Sequence, residues 1–421
     1  MKRTEKTGVV LHSKRMKSLY SIASFALLWV IMVPFLNPTD VAAQIAVKGE
    51  IVYTMDGEPI ENGVVLIRDG KIERVGREAR VRIPSGYTVH EARVVTPGFI
   101  DGRSVVGLAG YYNQQHDQDQ LDTSSPVQPE LRALDAYNAR EYLVDFLKSK
   151  GITTIHTGHG PGAVISGQTM LVKTAGFTVD EALVDSTTAI AITLGSGVRN
   201  NFSSPGTRSR LVAVLRQELL RAKEYAEKRA AGENQTRNLK MEALADLIDG
   251  RISALVTAHT ASDIITALRI QREFGFRMML DGAAEAYLVL DEIREAGVPV
   301  ILHPPMIRPF GEAKNASYET AARLKEAGIP FMFQGGYEGY VPKTRVVRYE
   351  AAIAAANGLG MEEALFASTL GAARILGVDN RIGSIERGKD ADLVLFDGDP
   401  FEYLTRVQAV FIDGSVVFRE E

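Results

Sequence analysis

Between residues 46 and 96, apolar and polar positions alternate in short blocks at 47–54, 63–68, 71–76 and 88–95, separated by Met55-Asp56-Gly57 and Asp69-Gly70. Period-two alternation around Asp-Gly predicts antiparallel sheet. After Pro97 the period changes. Short apolar runs at 98–101, 152–157, 189–194, 254–259, 277–280, 298–302 and 330–333 read as strands. Between them, apolar residues recur every three or four positions, which predicts helices over 129–150, 209–231, 262–274, 283–296, 317–327 and 361–376. Strand patterning returns at 383–396, 407–412 and 415–418, the last two separated by Asp413-Gly414.

Repeated strand–helix alternation predicts an α/β fold, a (β/α)8 TIM-type barrel over 97–380. The bracketing strand signals predict a small composite β-sandwich domain, built from 46–96 and 381–421. An open doubly wound sheet would share the alternation, but no G-x-G-x-x-G follows an early strand.

Composition changes this picture in three places. The 421 residues, 45% hydrophobic and 24% charged, suffice for one large core and a smaller one. A net charge of -4 supplies no basic field for nucleic acid. The absence of cysteine excludes disulfides, thiolate metal ligands, a cysteine nucleophile and lipidation at an N-terminal Cys.

The N-terminus differs from the rest. Lys14, Arg15 and Lys17 precede an apolar run over 19–36, followed by Pro38 and Val41-Ala42-Ala43-Gln44. This order predicts a secretory signal peptide over 1–43, cut after Ala43, and a periplasmic or secreted protein that leaves the membrane after cleavage. An uncleaved anchor is the alternative, the run being at the lower limit for a bilayer span; Pro34 and the V-x-A site favour cleavage. Translation from Met16 would give a more typical signal than translation from Met1.

Several segments carry a resemblance. They are Thr96-Pro97-Gly98-Phe99-Ile100-Asp101, Gly151-Ile152-Thr153-Thr154, Ser166-Gly167-Gln168, Ala258-His259-Thr260-Ala261-Ser262-Asp263-Ile264, Ala372-Ala373-Arg374-Ile375-Leu376-Gly377 and the run 383–396. In this order they resemble the amidohydrolase superfamily, nearest to its imidazolonepropionase-related group. The resemblance implies attack by metal-bound hydroxide at the C-terminal mouth of the barrel, on non-peptide C–N bonds or dipeptide-like substrates. It further implies two histidines after the first strand, a bridging Lys or Glu near the middle, histidines after strands five and six, and an Asp after strand eight.

Position by position, most of that set is replaced. Arg103 and Val105 stand where the paired histidines belong, Gly195-Ser196 where the Lys or Glu belongs, Gly282 at the sixth-strand histidine, and Gln334-Gly335-Gly336 where relatives place Thr-Asp. Only His259 matches a ligand. No metal site and no cofactor are therefore expected, and the usual metal-hydroxide mechanism is expected to be absent. A guanidinium about 4 Å from a divalent ion would repel it by roughly 8 kcal/mol at an effective dielectric of about 20.

The remaining polar residues supply the candidates. His156, His159, His259 and His303 fall at predicted strand ends and could converge at the mouth. They fit a relocated Zn site, direct acid–base or binding roles, or ordinary residues paired with backbone and carboxylates. His259, His303 and Arg103 are the catalytic candidates. Arg103, Asp101, His156, His159, Asp281, Gln334 and Glu338 are the substrate-binding candidates. Arg103 fits either a ligand carboxylate or carbonyl oxygen, or an internal ion pair with Asp101 or Asp281. The polar stretch 111–122 fits a substrate rim or a solvated loop, and 335–340 a lid carrying Glu338 or a tight turn. Two functions stay open: a divergent hydrolase using these histidines, and an inactive pseudoenzyme that binds a ligand or supports a metal-competent relative. The expected partners are a small molecule and a second copy or a related amidohydrolase.

Overall fold

The computed structural model describes residues 44–112, 114–233, 236–337 and 346–420; the expected signal segment and Glu338 lie outside the described residues. The chain opens with β1 (Ile45–Val52), β2 (Ile60–Arg68), β3 (Lys71–Arg77) and β4 (Thr88–Pro97). The barrel follows as β5 (Phe99–Ser104), β6 (Ile152–Gly158), β7 (Ile165–Lys173), β8 (Leu183–Thr193), β9 (Ser253–Ala258), β10 (Met278–Gly282), β11 (Val300–Leu302) and β12 (Phe331–Met332). It ends with β13 (Leu393–Phe396), β14 (Val407–Ile412) and β15 (Ser415–Arg419).

Strands β5 to β12 form one eight-stranded sheet in sequence order. It closes on itself where the Gly102 N–H donates to the Phe333 carbonyl at 2.9 Å and Ser104 bridges Gly336 in parallel. All seven strands expected from the sequence are present. The eighth, β7, runs antiparallel to both its neighbours, so the barrel is not the uniformly parallel one expected. Its opening Ile165-Ser166-Gly167-Gln168-Thr169 is too polar to read as a buried strand.

The outer helices bury one face each. In Ala261–Phe274, Thr260 caps the N-terminus by accepting from the Asp263 N–H, Gly275 ends the helix at φ 76°, and Ile264, Ala267 and Leu268 pack inward. The expected helix over 129–150 shrinks to a turn at Ala133–Asp135 and a helix at Tyr142–Ser149. Its first half is held by tertiary backbone bonds instead, Gln128 to Ile165, Gln168 to Leu131 and Asn138 to Gly107. The expected helix over 361–376 breaks into Met361–Ala367 and Leu370–Ile375, where the Ser368 carbonyl accepts from the Ile100 N–H.

Both chain ends build one seven-stranded sheet, in the order β15-β14-β13-β4-β1-β2-β3. The expected sandwich is thus a single sheet curled over, and its two hairpin turns meet: Gly70 lies against Asp413 and Gly414. Alternation divides each strand between cores. Leu393, Leu395, Ala409 and Phe411 join Val47, Val65 and Ile67 inside the curl, whereas Val394, Phe396, Val410 and Ile412 join the barrel core.

One ion cluster ties this sheet to the barrel. Lys173, at the end of β7 and 5% exposed, bonds Asp390 at 2.9 Å, Asp392 at 3.2 Å and Asp413 at 2.5 Å. Lys71 and Arg381 also bond Asp390. Burial raises the Asp390 carboxyl, but hydrogen bonds from Lys173 and Lys71 and the charges of Lys173 and Arg381 outweigh it and hold the group down to about 2. Asp392 is pushed up to about 6 by burial, against the charge of Lys173.

Replacing Lys173 with methionine leaves Asp390 and Asp392 buried without their shared cation, and urea melts are expected to show a loss of about 3–5 kcal/mol. The depressed Asp390 contributes stability that is present above its ordinary range and lost as pH falls through about 2. Asp390→Asn is therefore expected to flatten the acid limb of a stability–pH curve between about pH 4 and about pH 2.

Candidate functional site

The barrel interior is layered by the strand period. Ile100, Leu171, Ala189, Leu255, Met279, Ile301 and Met332, one from each of seven strands, pack as an apolar layer. Two residues further toward the mouth, the same faces present Thr169, Thr257, Asp281, His303 and Gln334, all buried. Three of these polar groups bond one another. Thr257 Oγ1 donates to Asp281 Oδ2 at 2.5 Å, and Gln334 Nε2 donates to Asp281 Oδ1 at 2.8 Å and to the Ile301 carbonyl at 3.1 Å. Asp281 is thereby committed within the layer.

His156 is committed too. Its Nδ1 donates to the Gly102 carbonyl at 2.9 Å, so its Nε2 is the acceptor facing Thr169 Oγ1 at 2.8 Å. Burial, then the charge of Arg103, lower its pKa to about 3, so the ring is neutral. This geometry leaves neither nitrogen for a ligand and gives His156 a cross-strand part in place of the expected substrate contact.

Above this layer β5 is irregular, its register against β6 shifting between Asp101 and Ser104. Asp101 Oδ1 holds the irregularity by accepting from the Arg103 N–H at 3.1 Å and from the Gly335 N–H at 2.8 Å. Asp101 thus ties the first strand to the chain after the last. Arg103 is fully buried, and one of its amino groups, Nη2, donates to the His159 carbonyl. Burial lowers its pKa, and the charges of Asp281, Tyr337 and Asp101 oppose that. Its own charge acts on Asp281 of β10 and on His156 of β6, which lie on opposite walls of an eight-stranded barrel. The guanidinium is thus held at the mouth end of β5, between the His159 carbonyl and the Tyr337 ring. The expected ion pair with Asp101 or Asp281 takes the form of longer-range attraction, since the Asp101 oxygen takes the Arg103 backbone and both Asp281 oxygens are occupied.

His159 is buried beside Gly167; burial and then Arg103 lower its pKa to about 4, with Asp122 and a hydrogen bond to the Gln120 backbone pulling the other way. It lies with Arg103 and apart from His259. His259 follows β9 directly and stacks on Gly282, and the Tyr337 hydroxyl stands 3.4 Å from its Nε2. His303 Nδ1 donates to the Pro304 carbonyl. His259, His303, Gln334 and Tyr337 line one mouth pocket of about 230 Å³, walled also by Ile307 and Phe310. A larger cavity of about 520 Å³ opens beside Pro299 and Pro330, at the N-terminal ends of β11 and β12, where barrels carry stability rather than chemistry.

Two further residues shape this site, Glu312 without a signal in the sequence and Tyr337 within the stretch 335–340 read there as a lid or tight turn. Glu312, after β11, accepts from the Ser196 N–H on both oxygens, at 2.9 and 3.0 Å, and covers Gly195, the position at which the family resemblance implies a bridging ligand; Arg208 also bonds its Oε1. Tyr337 holds the Arg103 guanidinium 5.9 Å from its ring centroid.

A closed barrel carrying a two-ended β-sheet, with its polar site at the mouth, defines a hydrolase-type architecture. The profile of the amidohydrolase family matches residues 164–417, and the chain belongs to that family. It is similar to an imidazolonepropionase of Thermoplasma volcanium, 23% identical over 90% of this chain and 97% of that one, and to one of Solibacter usitatus, 25% identical over 86% and 92%. It is also 24% identical over 85% of its length to the amidohydrolase tasK of Hapsidospora irregularis, of which it spans 40%. The crystal structure of an amidohydrolase from Thermotoga maritima superposes with a TM-score of 0.84 at 30% identity, covering 89% of this chain and 100% of that one.

Among the described residues no three His, Cys, Asp or Glu side chains gather as a metal site. A buried cation, Arg103, stands at the mouth end of β5, and His259 fills the space beside Gly282. Gly282 has φ +81°, and a methyl group there would lie 2.6 Å from His259 Cε1. Gly282→Ala is accordingly expected to cost about 1–3 kcal/mol in thermal or urea melts, and Gly282→His to displace the His259 ring.

Proposed function

We propose that this chain is an exported amidohydrolase-family protein that binds a small molecule at the barrel mouth and has given up metal-hydroxide hydrolysis. The observation that carries this reading is the Arg103 guanidinium, fully buried at the mouth end of β5 and within reach of the charge of Asp281. A divalent ion beside it would add like charge in a site that water does not screen. The pocket beside it supports retained ligand binding, being concave, largely apolar and furnished with a few polar groups. The basic flank, apolar run and Val41-Ala42-Ala43 pattern support export.

Metal-free acid–base catalysis is a second reading, favoured by one observation. His259 shares the pocket with His303 and has the Tyr337 hydroxyl at 3.4 Å. In this reading His259 moves the proton, and turnover is indifferent to chelators.

Protein purified without a His-tag and incubated with Zn is expected to retain less than about a tenth of an equivalent of metal. Turnover on a panel of amide and dipeptide substrates is expected to be absent with Zn and with EDTA alike. Near-stoichiometric metal with EDTA-sensitive turnover would overturn the proposal; EDTA-resistant turnover lost in His259→Ala would select the second reading. Export is checked by sequencing the mature N-terminus, expected to begin at Gln44.

A further inference from the structure

The cavity of about 520 Å³ at the base of the barrel shares no residue with the mouth pocket. Its floor is formed by Pro299 and Pro330, which directly precede β11 and β12, with Gly328 and Ile329 beside them. Proline has no N–H, and the carbonyls of Pro299 and Pro330 accept from the Leu280 and Val300 N–H groups, each at 2.9 Å. The N–H groups of Gly328 and Ile329 donate to the Lys325 and Leu324 carbonyls. This floor offers a ligand apolar surface and no free backbone donor. Phe331, Phe366 and Ile375 continue the same surface along the walls.

Charge is confined to the exposed side chains around it. Lys325 and Glu363 pair across 3.0 Å and neutralise one another. Arg374 is exposed, with its guanidinium 5.5 Å from the centroid of the half-buried Phe366 ring. That ring packs on Gly371, where a methyl group would stand 3.0 Å from its Cε1. Among the described residues no carboxylate pairs with Arg374, for Glu363 is taken by Lys325, and Glu386, whose carboxyl feels the Arg374 charge, bonds Lys389 at 2.7 Å. Two cations and one carboxylate line the cavity, which leaves one positive charge in excess.

We propose that the base cavity is a second ligand site that takes an amphipathic organic monoanion, its apolar body against Pro299, Ile329, Pro330 and Phe366 and its anionic head on Arg374. The volume is that of a small-molecule pocket, and the pairing of an apolar floor with one oriented charge is what such pockets use to fix a ligand. The site goes beyond the reading of the mouth and does not rest on it. A ligand here also lies against the helix Leu370–Ile375, whose Ala372 and Ala373 pack into the apolar layer of the barrel with Ile100. Occupancy therefore braces the base of the barrel and is expected to raise the melting temperature.

The test is calorimetric titration of the purified protein with octanoate and with 3-phenylpropanoate, each compared with its own primary amide. At least one acid is expected to bind with a Kd below about 5 mM, and its amide at least roughly fivefold more weakly. Tighter binding of octanoate identifies a chain as the body, and tighter binding of 3-phenylpropanoate a ring. Arg374→Gln is expected to bring acid and amide level, whereas Phe366→Ala is expected to weaken both by roughly threefold or more. Phe310→Ala, in the mouth pocket, is expected to leave all four affinities unchanged, which separates the two sites. If Phe366→Ala does not fold, Arg374→Gln still decides, since it changes an exposed side chain. No heat with either acid up to about 10 mM, equal binding of acid and amide by the wild type, an acid preference that persists in Arg374→Gln, or binding lost in Phe310→Ala would overturn the proposal.

Discussion

The direction of β7 is the constraint on which the molecule turns. Because this strand runs from mouth to base, it sets Gly167 beside His159, Thr169 against His156, and Lys173 among Asp390, Asp392 and Asp413. A parallel strand would deliver its last residue to the mouth. The reversal therefore gives the base of the barrel a long cationic side chain, and the two-ended sheet supplies carboxylates to meet it. Bridging a mostly apolar boundary with charge stabilises only where every charge is matched, and here Lys71 and Arg381 share Asp390 with Lys173.

At the opposite end the same strand helps to hold a cation. Thr169 and the Gly102 carbonyl fix His156 as a neutral ring, which adds no second positive charge beside Arg103. Asp281 remains in reach of the Arg103 charge, its orientation set by Thr257 and Gln334. A dielectrically isolated guanidinium persists when neighbouring rings stay neutral and a carboxylate field opposes it. The residues around Arg103 lie above the apolar layer from Ile100 to Met332, which is made without them.

Legibility in the sequence followed the length of the pattern and the locality of the interaction. The seven barrel strands stand out as apolar runs bounded by helical periodicity, and Asp69-Gly70 and Asp413-Gly414 mark hairpins by turn chemistry alone. β7 escaped because its mouth half is Ser, Gly, Gln and Thr, buried by barrel geometry rather than by hydrophobicity. The helix expected over 129–150 failed at its first half, where Gln128, Leu131 and Asn138 take backbone partners remote in sequence. Arg103 was visible because it falls in a motif with a fixed place, but its acceptor, the His159 carbonyl, was not. Glu312 sits mid-loop, where no period or motif ranks one carboxylate above another.

The two-ended sheet also bears on when the protein can finish folding. β4 lies between β1 and β13, and the inner face of β1 and β2 is completed by Leu393, Leu395 and Phe411. During synthesis the amino-terminal strands therefore wait for the last stretch of chain before their apolar face is covered, with the whole barrel intervening. Such long-separation pairing is slow and comes late. Until release from the ribosome the nascent chain keeps an open strand edge, a state that a holding factor can capture and that a truncated product can never leave.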